Sequence, residues 1–343
     1  MRRNGQIPEP LEARESRGGD EEGGGEPGRD SGSARGAKGR PLHRPVMVRE
    51  VLKVMGPREG GVYCDATVGL AGHALAILES CGPDGRLLGV DRDEDALALA
   101  SERLARIDVD RWSLHHAPFS SLRETLAGAG VHACDGVLAD LGVSSMQIDE
   151  AERGFSFRER GPLDMRMDRS EPGTVLDVLR GWSTRDIERI LRDYGEERLA
   201  AKVARRLRRS AREGKVRDTL DLAREIRGAL GRDRSGGIDA ATRSFQALRI
   251  AVNHEVDELE TLLDEVVDLL SPGGVFVCLS YHSIEDRMVK RALRASAARG
   301  EGEVLTRKPI TPGHEEVRGN RRSRSAKLRA FRKRVGTSTG EES

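Results

Sequence analysis

Between Gly61 and Asp91 the chain spells out a strand, a small-residue loop, a helix and a second strand ending in a carboxylate. Gly61-Val62-Tyr63-Cys64-Asp65 is β-prone, and Ala66-Thr67-Val68-Gly69-Leu70-Ala71-Gly72-His73 bends through small residues. Ala74-Leu75-Ala76-Ile77-Leu78 then continues as an apolar helix. Glycine lets a backbone come close to a ligand, and a helix start presents unpaired N–H groups to it. Leu87-Leu88-Gly89-Val90-Asp91 follows as an apolar strand closing on an acid. Its distance from the loop, about twenty residues, is the one at which nucleotide folds set a carboxylate on ribose hydroxyls. The pattern predicts an adenosine-ligand site, with an ordinary tight βα turn as the bland alternative.

The loop discriminates between adenosine ligands. A dinucleotide fingerprint wants Gly-x-Gly-x-x-Gly, because a pyrophosphate takes several backbone N–H groups. This loop offers only Gly69-x-x-Gly72. S-adenosylmethionine carries no phosphate and needs room for its amino-acid end plus an acid for its ribose. The missing glycines therefore weigh against a nicotinamide cofactor.

At 343 residues the chain holds one large domain, or a domain with a sizeable insertion. It shows no apolar run of membrane-crossing length and no signal-peptide core, so the expectation is a cytoplasmic protein without a membrane partner. Cys64, Cys81, Cys134 and Cys278 have no C-x-x-C spacing, which suits buried free thiols in a reducing compartment. Net charge is +1, yet Arg318 to Arg334 holds nine Lys or Arg and no acid.

Four regions follow along the chain. Residues 1–40 are rich in Gly, Glu and Arg with almost no large apolar side chains, and are expected to be a disordered extension. Residues 41–144 alternate strands and helices. Beyond the two strands already placed, helices are expected over Ala96 to Leu104 and Leu122 to Leu126. Strands are expected over Trp112 to Leu114 and Gly136 to Asp140. Such alternation predicts an α/β fold with a mostly parallel sheet and helices on both faces. Ligands of such sheets sit at the carboxyl ends of the strands, where Thr67, Asp91, Phe119 and Asp140 all fall.

Over 145–244 the alternation gives way to helical patterns at Val175 to Leu179, Thr184 to Asp193, Glu197 to Arg212 and Thr219 to Leu230. This reads as a helical insertion between two strands. Its Lys202, Arg205, Arg206, Arg208 and Arg209 form either an RNA face or a merely solvated helix surface. Residues 245–335 return to the sheet: one long helix from Phe245 to Leu270, a turn at Ser271-Pro272-Gly273-Gly274 and a buried strand Val275 to Ser280. A helix start at Ser283 and a last strand within the basic segment complete it, and residues 336–343 read as a frayed tail.

Asp140-Leu141-Gly142-Val143-Ser144-Ser145, with Gln147, Asp149 and Arg153-Gly154-Phe155-Ser156-Phe157, resembles the signature of one family. It is that of the bacterial small-subunit ribosomal RNA cytosine-N4 methyltransferases, RsmH or MraW. Five further stretches agree in collinear order: His43-x-Pro45-Val46 with Glu50; Pro162-Leu163-Asp164-Met165-Arg166-Met167-Asp168; Arg243-x-Phe245-Gln246-Ala247-Leu248-Arg249-Ile250-x-Val252-Asn253; Ser280-Tyr281-His282-Ser283-Ile284-Glu285-Asp286-Arg287; and Arg322-Ser323-Arg324-Ser325-Ala326-Lys327-Leu328-Arg329.

The resemblance implies a class I methyltransferase fold, Rossmann-like, with 145–244 as an insertion that recognises RNA. It further implies S-adenosyl-L-methionine as cofactor and N4-methylcytidine in the decoding region of 16S rRNA as product. The implied partner is that rRNA within an assembled or nearly assembled small subunit, and a homodimer is compatible with it. Cofactor contacts are carried over to Ala71, Gly72, His73, Asp91, Phe119, Asp140 and Gln147. The chain departs from the family pattern at Ala71, where glycine is usual, at Ala74, where serine is usual, and at Tyr281, where phenylalanine is usual.

Physical chemistry gives these residues roles of their own. Asp91 suits both ribose hydroxyls, or caps the helix that follows it. Phe119 suits an adenine face or the core, and His73 a cofactor carboxylate or plain packing. Asp140 is placed to bind cofactor. It also serves, as a catalytic hypothesis, to hold the N–H of a cytosine amino group whose lone pair is delocalised. Methyl transfer from a sulfonium requires no metal, and His282, Glu285 and Asp286 match no familiar zinc spacing. Ser144 and Ser283 lie in no nucleophile elbow, and Asp140-Leu141-Gly142-Val143 lacks the Pro-Pro-aromatic sequence of DNA amino-methyltransferases. The remaining alternative is an RNA-binding ribosome assembly factor that keeps the fold without activity.

Overall fold

Seven short segments pair into one sheet in the order β3-β2-β1-β4-β5-β7-β6. The computed structural model describes residues 45–231 and 239–335. The expected disorder over 1–40, the frayed tail over 336–343 and His43 of the first motif lie outside the described residues. The strands are β1 Val62–Asp65, β2 Arg86–Asp91, β3 Trp112–His116, β4 Cys134–Asp140, β5 Leu270–Ser280, β6 Gly302–Val304 and β7 Lys327–Lys333. The first five run parallel, and β7 runs antiparallel to both its neighbours.

Parallel strands buried on both faces carry unbroken apolar runs, and Leu87 to Val90 and Val275 to Leu279 do so here. Alternate side chains feed two cores. Tyr63, Leu87, Leu138, Val277 and Leu279 face α1 (Val48–Met55), α2 (Gly72–Ser80) and α3 (Glu94–Leu104). Cys64, Leu88, Val137, Phe276 and Cys278 face α4 (Leu122–Gly128), α11 (Glu255–Glu265) and α12 (Ser283–Ala298). All four cysteines are free and buried.

From β4 to α11 the described chain is helical or irregular. It runs through α5 (Ser145–Asp149), α6 (Val175–Gly181), α7 (Thr184–Asp193), α8 (Ala200–Arg212), α9 (Thr219–Leu230) and α10 (Thr242–Val252). Helices α6 to α10 enclose a third core that includes Leu179, Ile187, Leu207, Leu222 and Leu248. A short helix α13 (His314–Gly319) precedes β7.

Two local expectations are corrected, and one strand is added. The single helix over Phe245 to Leu270 is two, broken at Asn253-His254, where His254 takes φ 51°. The break follows from a partner distant in sequence: the Asn253 amide accepts from the Met167 N–H at 2.6 Å and donates to the Met165 carbonyl at 2.7 Å. Arg249 then grips Glu255 with two bonds of 2.7 Å across the bend. The expected Ser271–Gly274 turn is a loop-out inside β5, since Cys134 pairs with Leu270 and Gly136 already with Val275. The edge strand β6 was not foreseen, because three residues carry too little pattern.

The basic segment is largely tied into the fold. Lys327 and Arg329 both reach Asp286, Arg322 reaches Asp149, Arg332 reaches Glu303, and Lys333 donates to the Leu270 carbonyl. Five of the segment's nine Lys and Arg side chains thus hold the last strand and its neighbours together.

Candidate functional site: an acid-lined cleft at the strand ends

The sheet reverses its strand order between β1 and β4, and the crevice outside the carboxyl ends at such a point is where open α/β sheets take ligands. Three aspartates arrive there: Asp65 from β1, Asp91 from β2 and Asp140 from β4. The loop between β1 and α2 closes over them. Thr67 ties two ends together, its hydroxyl accepting from the Asp140 N–H at 2.6 Å while lying 3.4 Å from Asp65 Oδ1. Gly69 turns with φ 48° and donates its N–H to Asp91 Oδ2 at 2.8 Å.

Asp91 is not a helix cap. Its second oxygen accepts from the Asp93 N–H at 3.0 Å, and Asp93 caps α3 instead. The acid thus braces the loop that surrounds the cleft. Ala71 is fully buried at φ 55°, a left-handed conformation that glycine adopts freely and alanine at a cost of roughly 1–2 kcal/mol. A Cβ on Gly72 would lie 2.9 Å from two ring carbons of Pro45. Close packing of the N-terminal segment therefore dictates the glycine at that position.

His73 is buried with Nε2 2.8 Å from the Val46 carbonyl and Nδ1 3.7 Å from Asp140 Oδ2. That geometry matches the packing alternative and leaves one ring nitrogen toward the cleft. Phe119 opens a short turn after β3 (Phe119–Ser121), half-buried against the core under α11. Gln147 is buried in α5. Its oxygen accepts from the Ser144 N–H at 3.0 Å, and its amide donates to Asp93 Oδ2 at 2.7 Å.

Burial raises all three cleft acids. Asp65 is pushed up to about 7, by desolvation first and by the Asp140 and Asp91 charges in the same sense. Asp91 is pushed up to about 6, again chiefly by desolvation. Asp140 moves upward for the same reason, opposed by His73 and by a 2.7 Å hydrogen bond from the Tyr281 hydroxyl. Three carboxylates held above their ordinary range are an electrostatic demand for a cation. S-adenosylmethionine, with a sulfonium and an ammonium, meets that demand, and the residues present fit it.

Four participants escaped the sequence reading. Asp65 was read only as part of a β-prone segment. Tyr281 was noted as a departure, but its bond to Asp140 joins residues 141 apart in sequence. Asp93 and Arg153 form a buried ion pair of 2.8 Å that also engages Gln147. Of the trio His282, Glu285 and Asp286, the last turns away to Lys327 and Arg329. Glu255 joins His282 and Glu285 instead, but Arg249 already binds both Glu255 oxygens.

A mostly parallel sheet of this strand order, with an antiparallel seventh strand and an acid-lined crevice at its switch point, defines a class I S-adenosylmethionine-dependent methyltransferase. Comparison with known proteins agrees. Residues 40–334 match the model of the MraW methylase family. Ribosomal RNA small subunit methyltransferase H of Sorangium cellulosum is 51% identical over 294 residues, covering 86% of this chain and 91% of that protein. The same-named proteins of Pelobacter propionicus and Acidobacterium capsulatum are 45% and 43% identical. They cover 85% and 86% of this chain, and 98% and 99% of their own lengths. The chain belongs to the MraW methylase family.

Proposed function

We propose that this methyltransferase transfers a methyl group to the N4 amino group of a cytidine in the decoding region of small-subunit (16S) ribosomal RNA. The observation that carries the reading is the convergence of Asp65, Asp91 and Asp140 on one cleft in a chain of this family. Bound S-adenosylmethionine supplies a methyl group on a positively charged sulfur. Asp91 accepts from the ribose hydroxyls, a charge-assisted contact of roughly 1.5–3 kcal/mol. The Gly69 to Gly72 turn and His73 border the amino-acid end, Phe119 the adenine, and Gln147 holds the neighbouring backbone in place. Among the described residues no helix is long and apolar enough to cross a membrane, and the proposed reaction belongs to the cytoplasm.

Asp140 has a second role in this reading. One oxygen is fixed by the Tyr281 hydroxyl at 2.7 Å, and the other, 3.7 Å from His73 Nδ1, accepts from an amino N–H of the target base. Accepting that hydrogen returns electron density to nitrogen and aims it, a positioning effect that lowers the barrier by several kcal/mol. The base leaves its stack to reach the cleft. The helical segment over 145–244 recognises the RNA, and the folded, assembled or nearly assembled subunit is the expected substrate because few aromatic residues are present for single-strand stacking. A homodimer is compatible with this reading, and light scattering measures the assembly.

Small subunits from cells lacking the gene, incubated with the protein and labelled S-adenosylmethionine and digested to nucleosides, test the reading. Label is expected in N4-methylcytidine. Label in another nucleoside overturns the target. Absence of label with cofactor binding intact overturns the enzyme in favour of an assembly factor.

A further inference from the structure

Helix α8 carries Arg205, Arg208, Arg209 and Arg212 at i, i+3, i+4 and i+7, which places the four guanidiniums on one face. They line an open cleft of about 330 Å³ together with Thr184, the first residue of α7, and Glu213. The opposite face of α8 is core, with Val203, Ala204, Leu207 and Ala211 buried.

Like charges at these spacings repel and weaken a helix, so a stripe of four demands an explanation. Neighbouring arginines are neutralised: Arg206 meets Glu225 at 2.8 Å, and Arg217 and Arg224 share Asp221 at 3.1 and 2.6 Å. No ion pair among the described residues serves Arg205, Arg208, Arg209 or Arg212. The one acid in the cleft, Glu213, lies 2.6 Å from Lys215. Burial, and then the charge of Arg212, lowers the hold of Arg208 on its proton relative to an ordinary arginine. Within the chain the stripe meets only the Leu179 carbonyl, which accepts from Arg208 Nη1 at 3.2 Å, and the charge of Glu213 beside Arg209, so four guanidiniums share a single acid that is already held by Lys215.

We propose that this cleft is a phosphate clamp for the backbone of the RNA substrate, separate from the acid-lined cleft and resting on the RNA reading above. Guanidinium forks match phosphate oxygens two bonds at a time, and the Thr184 hydroxyl adds a neutral donor. No aromatic side chain lines the cleft, so it reads the backbone and leaves the bases to other surfaces. The five-residue RNA face expected from sequence is redrawn. Arg205, Arg208 and Arg209 stay, Arg212 joins, Arg206 leaves for Glu225, and Lys202 does not line the cleft.

The test is the double variant Arg205→Ala/Arg209→Ala, both side chains being exposed. Binding to small subunits and to deproteinised small-subunit rRNA is measured from 50 to 200 mM salt. Losing two phosphate contacts is expected to weaken both by about tenfold at the low-salt end and to flatten the log–log salt slope by about 1.4–1.8. Cofactor affinity stays at the wild-type level, and Arg205→Lys/Arg209→Lys restores the salt slope while recovering only part of the affinity. Unchanged affinity and slope overturn the clamp. Weakened binding to subunits but not to bare rRNA overturns it in favour of a ribosomal-protein contact. A wild-type protein that binds neither RNA overturns the RNA reading itself.

Discussion

Asp91 keeps its proton to about pH 6 because its carboxylate is desolvated faster than the Gly69 and Asp93 N–H groups can compensate. The folded-state value lies above that of a free aspartate, so the charged form exists only above pH 6 and vanishes as pH falls through it. A ribose held by the charged form follows the same curve. Cofactor Kd is therefore expected to level off above about pH 8, where Asp65 is charged as well, and to weaken progressively as pH falls through 6. Asp91→Asn weakens binding by about ten- to a hundredfold at pH 8 and removes the part of the pH dependence centred near pH 6, leaving that of Asp65 near pH 7. Titration calorimetry across pH 5 to 8 reads both, and a wild-type Kd independent of pH overturns the role of Asp91. The place of Asp91 at the end of its strand was legible because it depends on strand spacing. Asp65 was not, because its weight comes from burial among other acids, which no local pattern encodes.

Elements were legible where the signal is local and hidden where a distant partner sets it. The helix over Thr184–Asp193 has a Ser cap and an apolar stripe of its own, and its expected and observed bounds coincide. The break at Asn253 depends on the loop at Met165 and Met167, so nothing near residue 253 announces it. Arg153 shows the same dependence. Its guanidinium is fully buried and joins Asp93 to the carbonyls of Arg166 and Met167 at 3.1 and 2.9 Å. Breaking one partner of a buried pair leaves a stranded charge, at a cost of about 3–5 kcal/mol. Arg153→Ala is expected to lower the Tm by roughly 4–7 °C for a chain of this size. Differential scanning calorimetry checks it, and a shift under about 2 °C would show that Asp93 finds other partners.

At the scale of the molecule, the two chemistries rest on different cores. The residues proposed to hold cofactor stand on the sheet and its two flanking layers, whereas the arginine stripe stands on the separate core of α6 to α10. Polar ties join the two parts at Arg153 with Asp93 and at Glu196 with Arg287 and Ser283. Leu207, fully buried under the arginine stripe, separates the possibilities. Truncating a buried leucine to alanine costs about 2–5 kcal/mol, and the loosening spreads through the cooperative unit that shares the cavity. Leu207→Ala is expected to speed amide exchange across α6 to α9 and to weaken RNA binding at least tenfold, with cofactor Kd unchanged within twofold. Leu138→Ala, in β4 between the cleft acids, is expected to do the reverse. If Leu207→Ala weakens cofactor and RNA binding equally, sheet and helices unfold as one unit and the division of labour fails.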